Sequence, residues 1–337
     1  MKKILITGGA GYIGSHTAVE LFNAGFTPII LDDFSNSQEQ VLQRLQEISG
    51  TTFSHYRGDC NDRAVLDRIA QDHELAGVIH FAAFKAVGES TQQPLAYYRN
   101  NLGSLLVLLD FMRAAKIQDL VFSSSCTVYG QPDVLPVTEE TPRKDAESPY
   151  GNTKKVGEDI LVDYVKSQPG IRVIALRYFN PVGAHPSGKI GELPMGTPQN
   201  LVPFLTQTAA GIREKLTVFG NDYDTPDGSC IRDYIHVVDL ADAHVKALAF
   251  LSKQAPNFFD VFNVGTGRGN TVLEVIHAFE SVTGVKLPYI IGPRRAGDVV
   301  KTWADTSKIN RVLGWQATYS LEDCMRDSWR WQLTLPK

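Results

Sequence analysis

Tyr150 and Lys154 bracket the run Tyr150-Gly151-Asn152-Thr153-Lys154, at the start of a predicted helix. That four-residue spacing puts a phenol and an ammonium on one helix face, about 5–6 Å apart. A phenol with a reference pKa of about 10 is a poor base at neutral pH, but positive charge beside it favours the phenolate. Tyr150 can then take the proton of a substrate hydroxyl. Ser125 ends the run Ser123-Ser124-Ser125 at the carboxyl end of a predicted strand, the edge at which open α/β sheets bind ligands. Its hydroxyl either shares that proton relay or closes the strand through a local hydrogen bond.

A second constellation lies near the amino end, where Lys3–Thr7 runs into Gly8-Gly9-Ala10-Gly11-Tyr12-Ile13-Gly14 and then a helical pattern. Both G-x-G-x-x-G and G-x-x-G-x-x-G can be read there. Such glycines allow a tight turn and close approach of the backbone to a pyrophosphate at the positive end of a helix. Asp32, ending the second predicted strand, can accept from adenosine ribose hydroxyls and repels a 2′-phosphate. The following Asp33-Phe34-Ser35-Asn36 holds no Arg or Lys to offset that repulsion, so NAD is expected rather than NADP. Asp59, after the third predicted strand, is either another adenosine contact or a turn residue.

The elements that must position these groups read as short apolar runs alternating with longer helical stretches. Lys3–Thr7, Thr27–Leu31, Thr52–Tyr56, Val78–Ala82, Leu120–Ser124 and Val173–Arg177 are predicted strands, near-continuously apolar like parallel strands covered on both faces. Tyr12–Ala24, ending at Gly25, and Leu102–Ala115, with Leu102, Leu105, Leu106 and Leu109 at helical spacing, are predicted helices. Repeated β-α-β units with right-handed crossovers predict a doubly wound parallel sheet of the α/β class. Past residue 180, loops such as Asn180–Pro198 and Asn221–Gly228 predict a smaller, loop-rich α/β C-terminal domain. Residues 1–180 are expected to form the dinucleotide-binding domain and 181–337 the second. Helix Val238–Leu251 and strand Asp260–Val264, within 236–265, are expected to rejoin the first sheet. A length of 337 residues fits two domains of about 100–200 residues each.

Composition excludes several classes. With 43% apolar and 21% charged residues the chain is neither disordered nor a coiled coil. A net charge of −4 gives no global attraction to nucleic acid or an anionic membrane, so small molecules are the expected partners. The four cysteines, Cys60, Cys126, Cys230 and Cys324, lie far apart, lack metal-ligand spacing and read as reduced thiols. His80, inside a strand, reads as a hydrogen-bonded core residue, and no metal is expected. Met1-Lys2-Lys3 leads into too short an apolar run for a signal peptide, and no stretch approaches a membrane span, so a cytoplasmic location is expected.

Gly8-x-x-Gly11-x-x-Gly14, the set Ser125, Tyr150 and Lys154, and Arg232-Asp233-Tyr234-Ile235-His236 together resemble the extended short-chain dehydrogenase/reductase superfamily. More narrowly, three segments resemble the UDP-glucose 4-epimerase family. They are Phe81-Ala82-Ala83-Phe84-Lys85-Ala86-Val87-Gly88-Glu89-Ser90, Ser123-Ser124-Ser125-Cys126-Thr127-Val128-Tyr129-Gly130 and Arg177-Tyr178-Phe179-Asn180-Pro181-Val182-Gly183-Ala184-His185-Pro186-Ser187-Gly188. The likeness runs on to Trp303-Ala304-Asp305. It implies a Rossmann sheet and a tightly bound NAD that turns over without net consumption. Tyr150 would remove the sugar 4-hydroxyl proton while C4 delivers hydride to nicotinamide, and the 4-keto sugar would rotate and take hydride back on its other face. Ser125 would share the proton relay; Lys154 would hold the nicotinamide ribose and lower the Tyr150 pKa.

By the same resemblance NAD would lie against Gly8, Gly11, Tyr12, Ile13, Gly14, Asp32, Asp33, Phe34, Ser35, Asn36, Ser37, Asp59, Cys60, Phe81, Ala82, Ala83, Phe84, Lys85, Asn100, Ser125, Tyr150, Lys154 and Phe179. The UDP-sugar would meet Lys85, Ser125, Tyr150, Asn180, Asn200, Leu201, Thr217, Val218, Phe219, Arg232, Arg295 and Asp298, where two guanidinium groups suit a diphosphate. Thr302 stands where members restricted to UDP-glucose and UDP-galactose commonly carry Tyr, which implies room for UDP-GlcNAc and UDP-GalNAc. The family also implies a two-fold homodimer through the helices starting near Asn100 and Tyr150, with Leu102, Leu105 and Leu109 in its apolar seam. Two rivals stay open. A nucleotide-sugar 4,6-dehydratase needs an added acid/base pair, where this chain has Cys126 and Thr127. A silent NAD-binding scaffold would not need Ser125, Tyr150 and Lys154 intact.

Overall fold

The computed structural model describes residues 1–295 and 299–336. Its first half alternates β1 (Lys3–Thr7), α1 (Tyr12–Asn23), β2 (Thr27–Asp32), α2 (Gln40–Ser49), β3 (Ser54–Arg57), α3 (Arg63–Asp72), β4 (Leu75–His80), α4 (Val87–Gln92), α5 (Pro94–Ala114), β5 (Asp119–Ser125), α6 (Pro149–Ser167) and β6 (Arg172–Tyr178). The second half holds β7 (Asn180–Val182), α7 (Leu201–Ala209), β8 (Leu216–Phe219), β9 (Ile231–Arg232), β10 (Tyr234–His236), α8 (Val237–Leu251), β11 (Phe258–Val264), β12 (Asn270–Thr271), α9 (Val272–Thr283), β13 (Tyr289–Gly292), β14 (Lys301–Thr302), α10 (Ser307–Leu313) and α11 (Leu321–Gln332).

Side-chain alternation sets the layers. In β1, Ile4 and Ile6 join the cluster under α1 and α8, with Val19, Leu240 and Leu248. Leu5 points the other way, to Leu66, Leu105, Leu108 and Leu161 of α3, α5 and α6. Strand geometry makes successive side chains oppose, so an apolar run covered on both sides is the sequence signature of this sheet. Each fully buried Leu or Ile contributes about 1.5–3 kcal/mol relative to exposure. Seven parallel strands run in the order β11-β6-β5-β4-β1-β2-β3, confirming the doubly wound reading. Strand order reverses between β1 and β4, and the crevice at their carboxyl ends is where such sheets bind ligands.

Strand β11 pairs with β6 over Phe258–Val264, and α8 packs on α1. A separate core of Val202, Leu205, Leu216, Val218, Val275, Phe279 and Met325 lies among α7, α9, α11 and β8. Among the boundaries that differ from expectation, three bear on the site. Helix α5 begins at Pro94 rather than Leu102, because its first turns bury Tyr97 and Asn101 and carry no leucine pattern. Strand β4 ends at His80, so Phe81–Lys85 lies in the loop over the ligand-binding edge. The expected loop Asn180–Pro198 opens with β7, which pairs in parallel with β10. His80 does sit in the core, its Nδ1 2.7 Å from Thr7 Oγ1. All four cysteines are free, and no helix among the described residues is long and apolar enough to cross a membrane.

Candidate active site

Tyr150 sits in the first turn of α6, fixed there by Ser148, whose Oγ accepts the Gly151 N–H at 3.1 Å, and by Pro149 in the first turn. Ser125 Oγ accepts the Thr127 N–H at 3.2 Å, which leaves its own hydrogen free to turn toward the neighbouring Tyr150 phenol. Burial pushes the Tyr150 phenol up to about 12, and the Ser125 hydrogen bond opposes that rise. Lys154 is 4% exposed, and burial pushes its ammonium down to about 7. Its Nζ donates to Ser123 O at 2.7 Å and lies 5.9 Å from the Tyr150 ring centre. The three residues therefore converge at one edge of the sheet. Burial disfavours both the phenolate and the ammonium, and the Ser125 hydroxyl opposes that effect at Tyr150.

The glycine loop meets the cradle test for a dinucleotide. Gly8 has φ +71°, and a Cβ there would stand 2.9 Å from Ala82 N; a Cβ on Gly14 would stand 2.2 Å from Gly8 O. Only glycine allows this turn and leaves backbone open to a pyrophosphate. Asp32 is buried and organises the loop, accepting from Ala10 N (2.9 Å), Phe34 N (2.9 Å) and Ser37 Oγ (2.8 Å). An ionised carboxylate has about four acceptor positions, so one remains for a ribose hydroxyl. Asp33 turns back on Ser35, and Asn36 is exposed beside them. Arg57 stands level with Asp32 on β3 and over the Phe34 ring, a cation that the local run Asp33–Asn36 could not reveal. It is paired with Glu39, which offsets its attraction for a 2′-phosphate.

Other expected cofactor residues form one hydrogen-bonded chain. Asp59 closes a turn on Asn61, Asn61 reaches Asn100, and Asn100 reaches Asn101, which holds Phe84 N at 2.8 Å and Phe84 O at 3.0 Å. Ala82 and Ala83 follow Phe81 in that loop, Ile13 packs on the core, and Phe179 is buried with its N–H on Val264 O. The Cys60 side chain lies inside the core with its thiol pushed up to about 12, which leaves its backbone for any contact with a nucleotide.

The expected sugar-nucleotide residues come from four places. Asn180 donates its N–H to Asp233 O, Asn200 precedes Leu201 at the start of α7, and Thr217, Val218 and Phe219 lie on β8 with Arg295 5.7 Å over the Phe219 ring. Thr302 is buried and pairs with Arg232, whose charge reaches Cys126 beside Ser125. Asp298 lies outside the described residues.

Three acidic residues were given no role by the sequence reading. Asp233, fully buried, accepts from Thr266, Gly267 and Ala304 and so fastens the Arg232 strand to Trp303-Ala304. Glu158 lies four residues beyond Lys154, a helical periodicity that could have flagged it. It accepts from Ser124 Oγ (2.6 Å), Arg177 Nε (2.9 Å) and Arg177 Nη2 (2.6 Å), tying α6, β5 and β6 behind the catalytic pair. Glu192 had no signal, being a lone acid in a glycine- and proline-rich loop.

The chain matches the family model described as GDP-mannose 4,6 dehydratase over residues 5–328. It is 49% identical over 334 residues to a UDP-glucose 4-epimerase of Yersinia pestis, spanning 99% of this chain and 98% of that one. A crystal structure of UDP-glucose-4-epimerase from Stenotrophomonas maltophila, with bound NAD and formylated UDP-arabinopyranose, superimposes with a TM-score of 0.96 at 47% identity, covering 99% of this chain and 98% of that one. The UDP-Glc/GlcNAc 4-epimerase of Campylobacter jejuni aligns with a TM-score of 0.85 at 36% identity, covering 99% of this chain and 100% of that one.

Proposed function

The chain belongs to the UDP-glucose 4-epimerase family, and from that premise we propose that Tyr150, Ser125 and Lys154 carry an NAD-dependent inversion at C4 of UDP-glucose and UDP-galactose. The observation that supports this most is the convergence of Ser125, Tyr150 and Lys154 at the carboxyl edge of β5, with Lys154 Nζ held on Ser123 O at 2.7 Å and 5.9 Å from the Tyr150 ring centre. NAD, held by Gly8 to Gly14 and Asp32, supplies the hydride acceptor and donor and ends each turnover unchanged. Tyr150 takes the 4-hydroxyl proton, Ser125 bonds the same oxygen, and Tyr150 returns the proton once the 4-keto sugar has presented its other face. An oxidised nicotinamide ring nearby and the Ser125 hydroxyl both favour phenolate against the effect of burial. Residues 1–180, with part of 236–265, form the NAD-binding unit in this reading, and 181–337 bind the UDP-sugar, in the cytoplasm. The experiment is turnover of UDP-galactose followed by proton NMR.

The dehydratase reading lacks its acid. Elimination across C5–C6 needs an added acid/base pair to take the C5 proton and protonate the departing 6-hydroxyl, and burial pushes the Cys126 thiol up to about 12, while Thr127 has no acid function near neutral pH.

Substrate range turns on Thr302. Thr302 is a small buried residue level with Arg232, and a Tyr there would add volume, which close-packed sites tolerate poorly. The enzyme is expected to interconvert UDP-GlcNAc and UDP-GalNAc as well as the simple hexoses. Thr302→Tyr should cut the N-acetylated turnover at least about tenfold while sparing the hexoses. No N-acetylated turnover in the wild type, or undiminished turnover in the variant, contradicts the pocket argument.

The chain is expected to be a two-fold homodimer through α5 and α6, which pack together and are linked by Asn152 Nδ2 to Tyr98 Oη at 2.6 Å. The seam differs from the sequence expectation. Leu105 and Leu109 are buried in the chain's own core, leaving exposed Leu106 with half-buried Leu102, Val156 and Ile160 for a partner. Isologous pairing of such faces makes a four-helix bundle. Light scattering at micromolar concentration should give the mass of two chains; a monomer refutes the assignment.

A further inference from the structure

Glu192 lies where the Phe81–Lys85 loop meets the start of α7, and no motif quoted above gives it a role. Its Oε1 accepts from Lys85 Nζ at 2.9 Å and from Asn200 Nδ2 at 2.7 Å. Its charge also reaches Tyr12, whose hydroxyl donates to Gly183 O at 2.7 Å. Residues from the glycine loop, the cofactor loop and the sugar-nucleotide unit thus gather around one carboxylate.

The carboxylate is the fixed member of the group. Its own backbone carbonyl accepts Trp331 Nε1 at 3.0 Å, and a Cβ on the preceding Gly191 would stand 2.5 Å from the Trp331 ring. The Glu192 side chain is 10% exposed against 46% for Lys85. A lysine has a long, flexible stem and three donors, so one bond to Glu192 orders its head and leaves two donors for ligand oxygens. Left unpaired, a carboxylate between two diphosphate-binding surfaces would repel both ligands. Paired with Lys85, it presents an ordered cation instead, and ordering before binding reduces the entropy lost on association.

We propose that Glu192 is a positioning residue for the UDP-sugar, setting the Lys85 ammonium and the Asn200 amide from a single carboxylate oxygen. The inference rests on the placement of Lys85 and Asn200 at the ligands in the functional reading above. It is tested by steady-state kinetics and by UDP titration calorimetry on NAD-loaded Glu192→Gln, with Glu192→Asp as a second variant that keeps the charge but withdraws the oxygen. Each should raise the KM for UDP-galactose and the Kd for UDP roughly 3- to 10-fold, with kcat within about twofold, a modest effect because Lys85 is half exposed. In a Lys85→Met background the same Gln substitution should change KM by less than about twofold, since the partner it acts through is gone. An unchanged KM, a lowered KM, which would mean a latch that ligand displaces, or an additive effect in the Lys85→Met background overturns the proposal. A lower thermal midpoint with unchanged UDP affinity also overturns it. Failure of the wild type to interconvert UDP-sugars would instead refute the functional reading, and so remains distinguishable.

Discussion

Tyr150→Phe is expected to reduce epimerisation by about 100- to 10,000-fold while leaving the fold and NAD content intact. The substitution removes one oxygen from a side chain whose position is set by the Ser148 cap and Pro149, neither of which involves the phenol. What is lost is the phenol oxygen beside Ser125 that, in this reading, takes the 4-hydroxyl proton. Ser125→Ala should act in the same direction by a smaller factor, because the base survives but its phenolate loses a donor. Kinetics with UDP-galactose, together with the absorbance of co-purified cofactor, check both. A Tyr150→Phe enzyme within a few-fold of wild type removes Tyr150 from the mechanism.

Arg177→Met should cost about 3–5 kcal/mol of stability, since it strands a buried carboxylate. Glu158 and Arg177 are among the buried charged residues, joined by two contacts of 2.9 and 2.6 Å, and Arg177 Nη1 also donates to Tyr129 Oη at 2.9 Å. Burial alone would lower the Arg177 pKa, but the paired Glu158 raises it overall, so the guanidinium stays charged. Arg143 Nη1, 3.3 Å from Glu158, is a longer and more exposed contact that compensates little. The double variant Glu158→Gln with Arg177→Met should recover part of the loss, because no lone charge is then buried. Urea unfolding of the single and double variants measures this; a loss below about 1 kcal/mol for Arg177→Met contradicts the stated role of the pair.

The parts of this molecule that were legible in the sequence are those governed by local rules. Apolar runs between Gly-rich turns placed the sheet, Asp32 fell at the end of β2 as its spacing required, and Ser125, Tyr150 and Lys154 met at one edge because a strand and a helix start bring them there. Features set by packing across the sheet were not legible. Arg57 is distant from Asp32 along the chain but level with it in parallel register. Leucines at helical spacing in α5 could not reveal that Leu105 and Leu109 face the chain's own core while Leu106 faces out. Lys154 was read as a cation beside a phenol, yet the same burial that holds it there lowers its pKa to about 7. Glu192 acquires its partners only when loops far apart in the chain fold together.

The most direct test of the central claim is to incubate the purified wild-type protein with UDP-galactose without added NAD, following the anomeric proton signals by NMR and the absorbance of the bound cofactor. The account predicts many turnovers to UDP-glucose until equilibrium, with transient reduced-nicotinamide absorbance and no net loss of oxidised cofactor. A folded, NAD-loaded protein that leaves UDP-galactose unchanged would contradict it.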